Sequence, residues 1–153
     1  MIREFLRKPC FFFVLLLLSS CEQKKDFDFY DLDGNGYIYS ELREFYLVIN
    51  YWAVWCAPCK IEVPELQALH DDNPNVMVFG VNFDGSEKEL AKKQTKEMKI
   101  SFPVYNIDPA ESLGIKRPEV LPTTFVFNPE KNLLATLVGP QTKESLLEVI
   151  ENH

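Results

Sequence analysis

Two thiols with two residues between them, Cys56 and Cys59 in Trp55-Cys56-Ala57-Pro58-Cys59-Lys60, are the residues of this chain best suited to chemistry. Such a pair can close a disulfide without large backbone movement and reopen it by thiolate attack. The apolar run from Phe45 to Tyr51 precedes the pair and a helix-like pattern follows it. Cys56 is therefore expected at a helix N-terminus, where unpaired amide N–H groups and the helix dipole favour an anion and lower the thiol pKa. Cys56 would attack a substrate disulfide. Cys59, one turn further in and more buried, would resolve the mixed disulfide. Pro58 is tolerated near the helix start, where few N–H groups have partners. Two other readings stand beside this one. A structural bridge here would close too small a loop to restrain much of the chain. Half of a zinc site would need two more ligands, and beyond carboxylates only His70 and His153 are present. No metal and no cofactor are expected.

The elements that must position this pair can be read from hydrophobic period and turn residues. Asp26 to Phe29 alternates charged and aromatic residues, Asp33-Gly34-Asn35-Gly36 is a turn, and Tyr37 to Tyr39 reads as the return strand of a hairpin. Ser40 can cap a brief helical turn at Glu41–Arg43. Phe45 to Tyr51 reads as a central strand buried on both faces. After Cys56, Ile61, Leu66 and Leu69 give a helix its apolar face, Pro64 should kink it, and Asn73-Pro74-Asn75 ends it. Val76 to Val81 is a second buried strand. Ser86 and Glu89 suggest a capping box for a helix to Met98. Val104 to Ile107 is extended, and Pro109 to Leu113 a short helical turn. Thr123–Phe127 and Leu133–Val138 form a hairpin, Gly139-Pro140 breaks the chain, and Thr142 starts a last helix through Leu146, Leu147 and Ile150. Trp52 reads as core and Trp55 as a partly exposed rim residue. His70 reads as a polar helix position and His153 as a disordered terminus. These elements predict a three-layer α/β domain.

The first twenty residues read as a signal rather than as part of that fold. Arg3, Arg7 and Lys8 form a positive start, Phe11 to Leu18 is unbroken apolar sequence, and Ser19-Ser20 precede Cys21. The apolar stretch is short for a membrane span, which needs roughly 20 residues. Leu18-Ser19-Ser20-Cys21 resembles a bacterial lipobox, which implies cleavage before Cys21 and lipid on its sulfur. The alternative is a conventionally cleaved or uncleaved signal with Cys21 as a bystander. The expected organisation is a signal over 1–20, lipidated Cys21 and a tether over 21–25, and one domain over 26–153. Cys10 leaves with the signal, so Cys56 and Cys59 are the cysteines left for chemistry. The chain of 153 residues carries a net charge of −7, and removing the signal leaves −9, because its three cations outnumber Glu4 by two. An acidic body argues against nucleic acid and against electrostatic adhesion to anionic lipid.

Asn50-Tyr51-Trp52-Ala53-Val54-Trp55-Cys56-Ala57-Pro58-Cys59-Lys60 resembles the active-site segment of the thioredoxin-like superfamily. Glu62, followed by Pro64, Glu65 and Leu66, resembles the TlpA/ResA branch, exported reductases that include the cytochrome c maturation thioredoxins. Leu121-Pro122-Thr123-Thr124-Phe125 resembles the superfamily's cis-proline segment, and Val138-Gly139 before the last helix also fits. The resemblance spans about Phe27 to Asn152. It implies a thioredoxin-like sandwich, a mixed central β-sheet flanked by helices with an N-terminal β-hairpin. It further implies that Pro122 is cis beside the cysteines and that Leu121 offers its backbone to an extended substrate, with Trp55 and Pro58 in the same substrate-binding surface. The alternative for Pro122 is a trans proline opening a strand. Cytoplasmic thioredoxins carry a proton-transferring Asp at the position of Asn50, which cannot titrate. The branch suggests Glu62 as its replacement. The alternative is a solvated glutamate that only assists the helix dipole.

The function so implied is reduction of disulfides in exported proteins by a monomer on the envelope side of a bacterial membrane. Its partners would be protein disulfides, the lipid bilayer through Cys21, and a membrane-linked electron donor. Glu22 after Cys21 leans toward the outer membrane. Net oxidation or isomerisation is a second enzymatic reading, peroxidase activity a third, and a non-catalytic assembly factor using the groove near Pro122 a fourth. Asp31, Asp33, Asn35 and Gly36 also match the opening of a calcium-binding loop, yet the twelfth position is Leu42 where a bidentate Glu belongs.

Overall fold

The computed structural model describes residues 26–153. The signal segment, Cys10, the Cys21 lipid site and the tether lie outside the described residues. Nine elements follow in order: β1 (Phe29–Tyr30), β2 (Gly36–Tyr37), β3 (Tyr46–Trp52), α1 (Ala57–Asp72), β4 (Val76–Asn82), α2 (Lys88–Glu97), β5 (Thr123–Phe127), β6 (Leu133–Val138) and α3 (Lys143–Glu151).

The four longer strands form a mixed sheet in the order β4-β3-β5-β6. β3 and β4 run parallel, Tyr46 opposite Val76 through Trp52 opposite Asn82, joined by α1. β5 runs antiparallel to β3 and β6 antiparallel to β5. β3 is buried along nearly its whole length, as its continuous apolar sequence requires of a strand covered on both faces. Its alternate residues enter different clusters. Val48 and Trp52 pack with Val63, Leu66 and Leu69 of α1 and with Leu146 and Ile150 of α3. Leu47, Ile49 and Tyr51 pack on the other face with Phe79, Phe125 and Phe127. Fully burying one such side chain contributes about 1.5–3 kcal/mol.

The second face is covered chiefly by aromatic side chains. β1 and β2 make the expected N-terminal hairpin, though only two residues of each pair as strand. Phe29 stacks on Tyr37 with ring centroids 4.9 Å apart, lies 4.4 Å from Tyr105 and meets Phe79 edge-on at 5.5 Å. The Asp31 carboxylate is taken up inside the turn: it accepts from the Asn35 amide nitrogen, the Asn35 side chain and the Tyr37 hydroxyl. Leu42, at the twelfth position of the calcium-like motif, is buried.

Three sequence expectations need correction. Ile61 is 71% exposed, while Cys59, Glu62, Val63, Leu66 and Leu69 form the buried face of α1. Leu66 and Leu69 hold the apolar face as expected, and Glu62, four and seven residues before them, takes the place on it that Ile61 was expected to fill. Ser86 and Glu89 do not form a capping box; α2 begins at Lys88 after Glu87, with no side-chain cap. His70 is more than a polar helix position, because its Nδ1 accepts from the Val78 backbone N–H at 3.2 Å and so ties α1 to β4. Other expectations hold: Pro109 to Leu113 closes a helical turn, and Thr142 caps α3 with a reciprocal box to Ser145.

Candidate active site

β3 delivers the chain to the site and α1 carries it away. Cys56 is the N-cap of α1, with Pro58 at the second helical position. The Cys56 sulfur accepts from the Cys59 backbone N–H at 3.2 Å, one of the amides that a helix start leaves without an intrahelical partner. The two cysteines are joined as a disulfide with their Cα atoms 5.3 Å apart. Cys56 is 4% exposed and Cys59 0%. The outer position thus belongs to the cysteine at the helix start, the arrangement expected of an attacking and a resolving thiol.

Glu62 lies three residues beyond Cys59, a spacing that places both on one side of the helix. It is fully buried, so the solvated alternative does not hold. Asn50 Nδ2 donates to Glu62 Oε1 at 2.7 Å and to Thr124 Oγ1 at 2.9 Å. The Gln141 backbone N–H donates to Glu62 Oε2 at 3.1 Å. Burial pushes the carboxyl up to about 7, against the lowering effect of the Asn50 and Gln141 hydrogen bonds. An acid held near neutrality can both give and take a proton at ordinary pH. Asn50 Oδ1 is buried without a partner. Turning the amide over would present this acceptor to a protonated Glu62, so one side chain can serve both forms of the carboxyl.

The sheet register brings the remaining pieces to the same end of the fold. Tyr51 pairs with Thr123, so Pro122 sits at the end of β3 that leads to Cys56. The Leu121–Pro122 peptide bond is cis, as the resemblance implied, and Pro122 is buried while Leu121 is partly exposed. Gly139, at φ 92°, turns the chain out of β6, and its N–H donates to the Pro122 carbonyl at 2.9 Å. A side chain is rarely accommodated at that φ. Trp55 is 63% exposed beside Cys56, and Pro58 is half-buried. Trp52 is wholly buried.

Asn50 and Gln141 were not read from sequence as partners of the carboxyl, nor Thr124 as a partner of Asn50. Asn50 did carry a signal, being the one strongly polar side chain in an otherwise apolar central strand. The Gln141 contribution comes from its backbone and has no side-chain signature. Among the described residues, no group of three or more His, Cys, Asp or Glu side chains is placed to hold a metal ion. No helix among them is long and apolar enough to cross a membrane.

Comparison with known proteins agrees with this geometry. The model of the AhpC/TSA family matches residues 22–136. The chain is 31% identical over 108 residues to the sporulation thiol-disulfide oxidoreductase A of Bacillus subtilis, covering 68% of this chain and 66% of that one. It is 29% identical over 117 residues to a thiol-disulfide oxidoreductase ResA of Bacillus cereus, covering 76% of this chain and 68% of that one. It thus spans about two thirds of the length of these relatives. Among solved structures, a DsbF homologue from Corynebacterium diphtheriae superposes with a TM-score of 0.68 at 27% identity, covering 80% of this chain and 81% of that one.

Proposed function

The chain belongs to the AhpC/TSA family, with a thioredoxin-like fold, and from that premise we propose that it is an exported, lipid-anchored thiol–disulfide oxidoreductase that reduces disulfides in other exported proteins. The observation that carries the reading is the Cys56–Cys59 pair at the start of α1 with the buried Glu62 carboxyl on the same side of the helix.

The reaction balances over two steps. The Cys56 thiolate attacks a substrate disulfide, forms a mixed disulfide and releases one substrate thiolate. The Cys59 thiolate then attacks the Cys56 sulfur, frees the second substrate thiolate and leaves Cys56–Cys59 oxidised. Two electrons pass to the substrate. Glu62 takes the proton that Cys59 loses as it becomes nucleophilic and returns it on re-reduction, which requires an external dithiol donor. Trp55, Pro58, Leu121 and Pro122 receive the polypeptide around its disulfide.

Reduction is favoured over net oxidation because Ala57-Pro58 places no histidine between the cysteines. The potential should then lie nearer thioredoxin's, about −270 mV, than DsbA's, about −120 mV. The test is insulin-disulfide reduction by the purified protein, together with redox equilibration against glutathione. Activity should vanish with Cys56→Ser. Full activity in that variant would refute the mechanism, and a potential near the DsbA value would reverse the direction. For the anchor, Cys21→Ser should release the protein from membranes or block processing. A native protein that is wholly soluble with unmodified Cys21 would refute it.

A further inference from the structure

Arg117 stands outside the redox centre and grips three things at once. Its Nε donates to Asp108 Oδ2 at 2.8 Å, its Nη2 donates to the Phe83 carbonyl, and its guanidinium lies 4.2 Å from the Phe83 ring centroid. Asp108 is itself fixed to the core: its Oδ1 accepts from the hydroxyl of buried Tyr51 at 2.6 Å and from the Ala110 N–H at 2.9 Å. The guanidinium is therefore anchored to β3 through a carboxylate, and it presses on the loop that follows β4.

The same loop meets Trp55. The Phe83 ring faces the Trp55 indole edge-on, with centroids 6.3 Å apart and planes at 83°. Trp55 Nε1 donates to Asp84 Oδ1 at 3.1 Å, and the Asp84 N–H donates to Asn82 Oδ1 at 2.9 Å. Asn82 is held in turn by Gln94 of α2 at 2.6 Å. The indole is 63% exposed, so packing in the core does little to aim it. Phe83 and Asp84 aim it, and Arg117 holds Phe83. The chain beyond Arg117 runs through Pro118, Glu119 and Val120 into Leu121 and cis-Pro122.

We propose that Arg117 is a positioning residue for polypeptide substrates, a brace that fixes the Trp55 indole relative to the Leu121–Pro122 segment by clamping Phe83 between guanidinium and indole. The inference rests on the oxidoreductase reading above. A substrate that extends beyond its disulfide must fit both Trp55 and the proline segment and so depends on the brace. A small disulfide that meets only Cys56 depends on it much less. Lysine is no substitute, because it keeps the charge but loses the planar group that stacks on Phe83 while bonding sideways to Asp108.

The experiment compares the full chain with Arg117→Gln, Arg117→Lys and Phe83→Leu. Insulin reduction in the steady state is set against single-turnover reaction of the reduced protein with 5,5′-dithiobis(2-nitrobenzoic acid). Iodide quenching of tryptophan fluorescence reports Trp55, since the only other tryptophan, Trp52, is fully buried. Arg117→Gln and Phe83→Leu should raise KM for insulin about threefold, the scale of one exposed cation–π contact, with a much smaller effect on kcat and on the small disulfide. Both should increase iodide quenching, and Arg117→Lys should fall closer to Arg117→Gln than to the parent. Insulin and small-disulfide rates that fall in parallel, or an insulin KM that stays at the parent value, would overturn the brace and leave the oxidoreductase reading standing. Failure of the unsubstituted chain to reduce either disulfide would overturn that reading itself.

Discussion

Replacing Glu62 with glutamine should make the protein more stable at pH 8 than at pH 4 relative to the parent, as removal of a carboxyl raised by burial requires. Burial raises this carboxyl from 4.5 to about 7. Between those values the folded protein holds a proton that the unfolded chain has released. Stability is therefore fully present below 4.5, falls as pH rises through the interval, and reaches its floor above about 7. At about 1.4 kcal/mol for each tenfold change in proton affinity, the interval corresponds to about 3 kcal/mol at the floor. Solvent does little to screen it, because the side chain has no exposed surface. The substituted amide keeps the shape and carries no charge, and the unpartnered Asn50 Oδ1 can turn to accept from it. The assay is urea unfolding of the oxidised protein across this pH range, with the Cys56–Cys59 disulfide closed so that neither thiol titrates. The stability of Glu62→Gln minus that of the parent should climb by about 3 kcal/mol with its rise centred between the two values. Parallel curves would refute the assignment of the raised carboxyl. The same substitution should remove the limb near neutrality from the pH–rate profile of turnover.

His70 titrates in the opposite sense. Burial lowers it below 6.5, so its contribution is present at higher pH and is lost as pH falls through 6.5 toward the folded value; His70→Leu should lessen the loss of stability on acidification in the same unfolding series. In the reduced protein, iodoacetamide should modify Cys56 before Cys59, read by peptide mass mapping, because Cys56 caps the helix and retains some exposure. Faster modification of Cys59 would reverse the two roles. Gly80→Ala should cost about 1–3 kcal/mol in urea unfolding, since the added carbon would lie 2.8 Å from Trp52 Nε1 and 3.1 Å from Val104. A midpoint equal to the parent's would refute the tight packing of Trp52, Phe102 and Val104 over this glycine.

The redox pair and its strand–helix setting were legible in sequence because both rest on local patterns. The bounds of β5 and β6 were legible for the same reason, with a turn of Asn and Pro between two apolar runs. Glu62 exposes the limit of hydrophobic periodicity. A carboxyl occupying a core position reads as a solvent position, and so Ile61 was assigned the face that Glu62 in fact occupies. The resemblance to a known branch drew attention to Glu62 where periodicity could not, and the structure buries it. His70 was misjudged because its partner is a backbone N–H eight residues away on another element. Arg117 left no trace at all. Its partners, Phe83 and Asp108, are neighbours only after the sheet has formed.

The carboxyl's surroundings are gathered from remote parts of the chain. Asn50 meets Thr124 across 74 residues and Glu62 meets the Gln141 amide across 79. Contacts of such span are slow to form, because loop closure must precede any gain from them. The cysteines, three residues apart, can pair and exchange long before that. A chain still folding would thus carry an ordinary dithiol, open to oxidation by its surroundings, while Glu62 was still in water with an unshifted affinity. The surroundings that raise Glu62 are complete only when β5 and the segment after β6 have docked. A half-folded copy would keep its thiols but lack the raised carboxyl that the finished fold sets on the same helix.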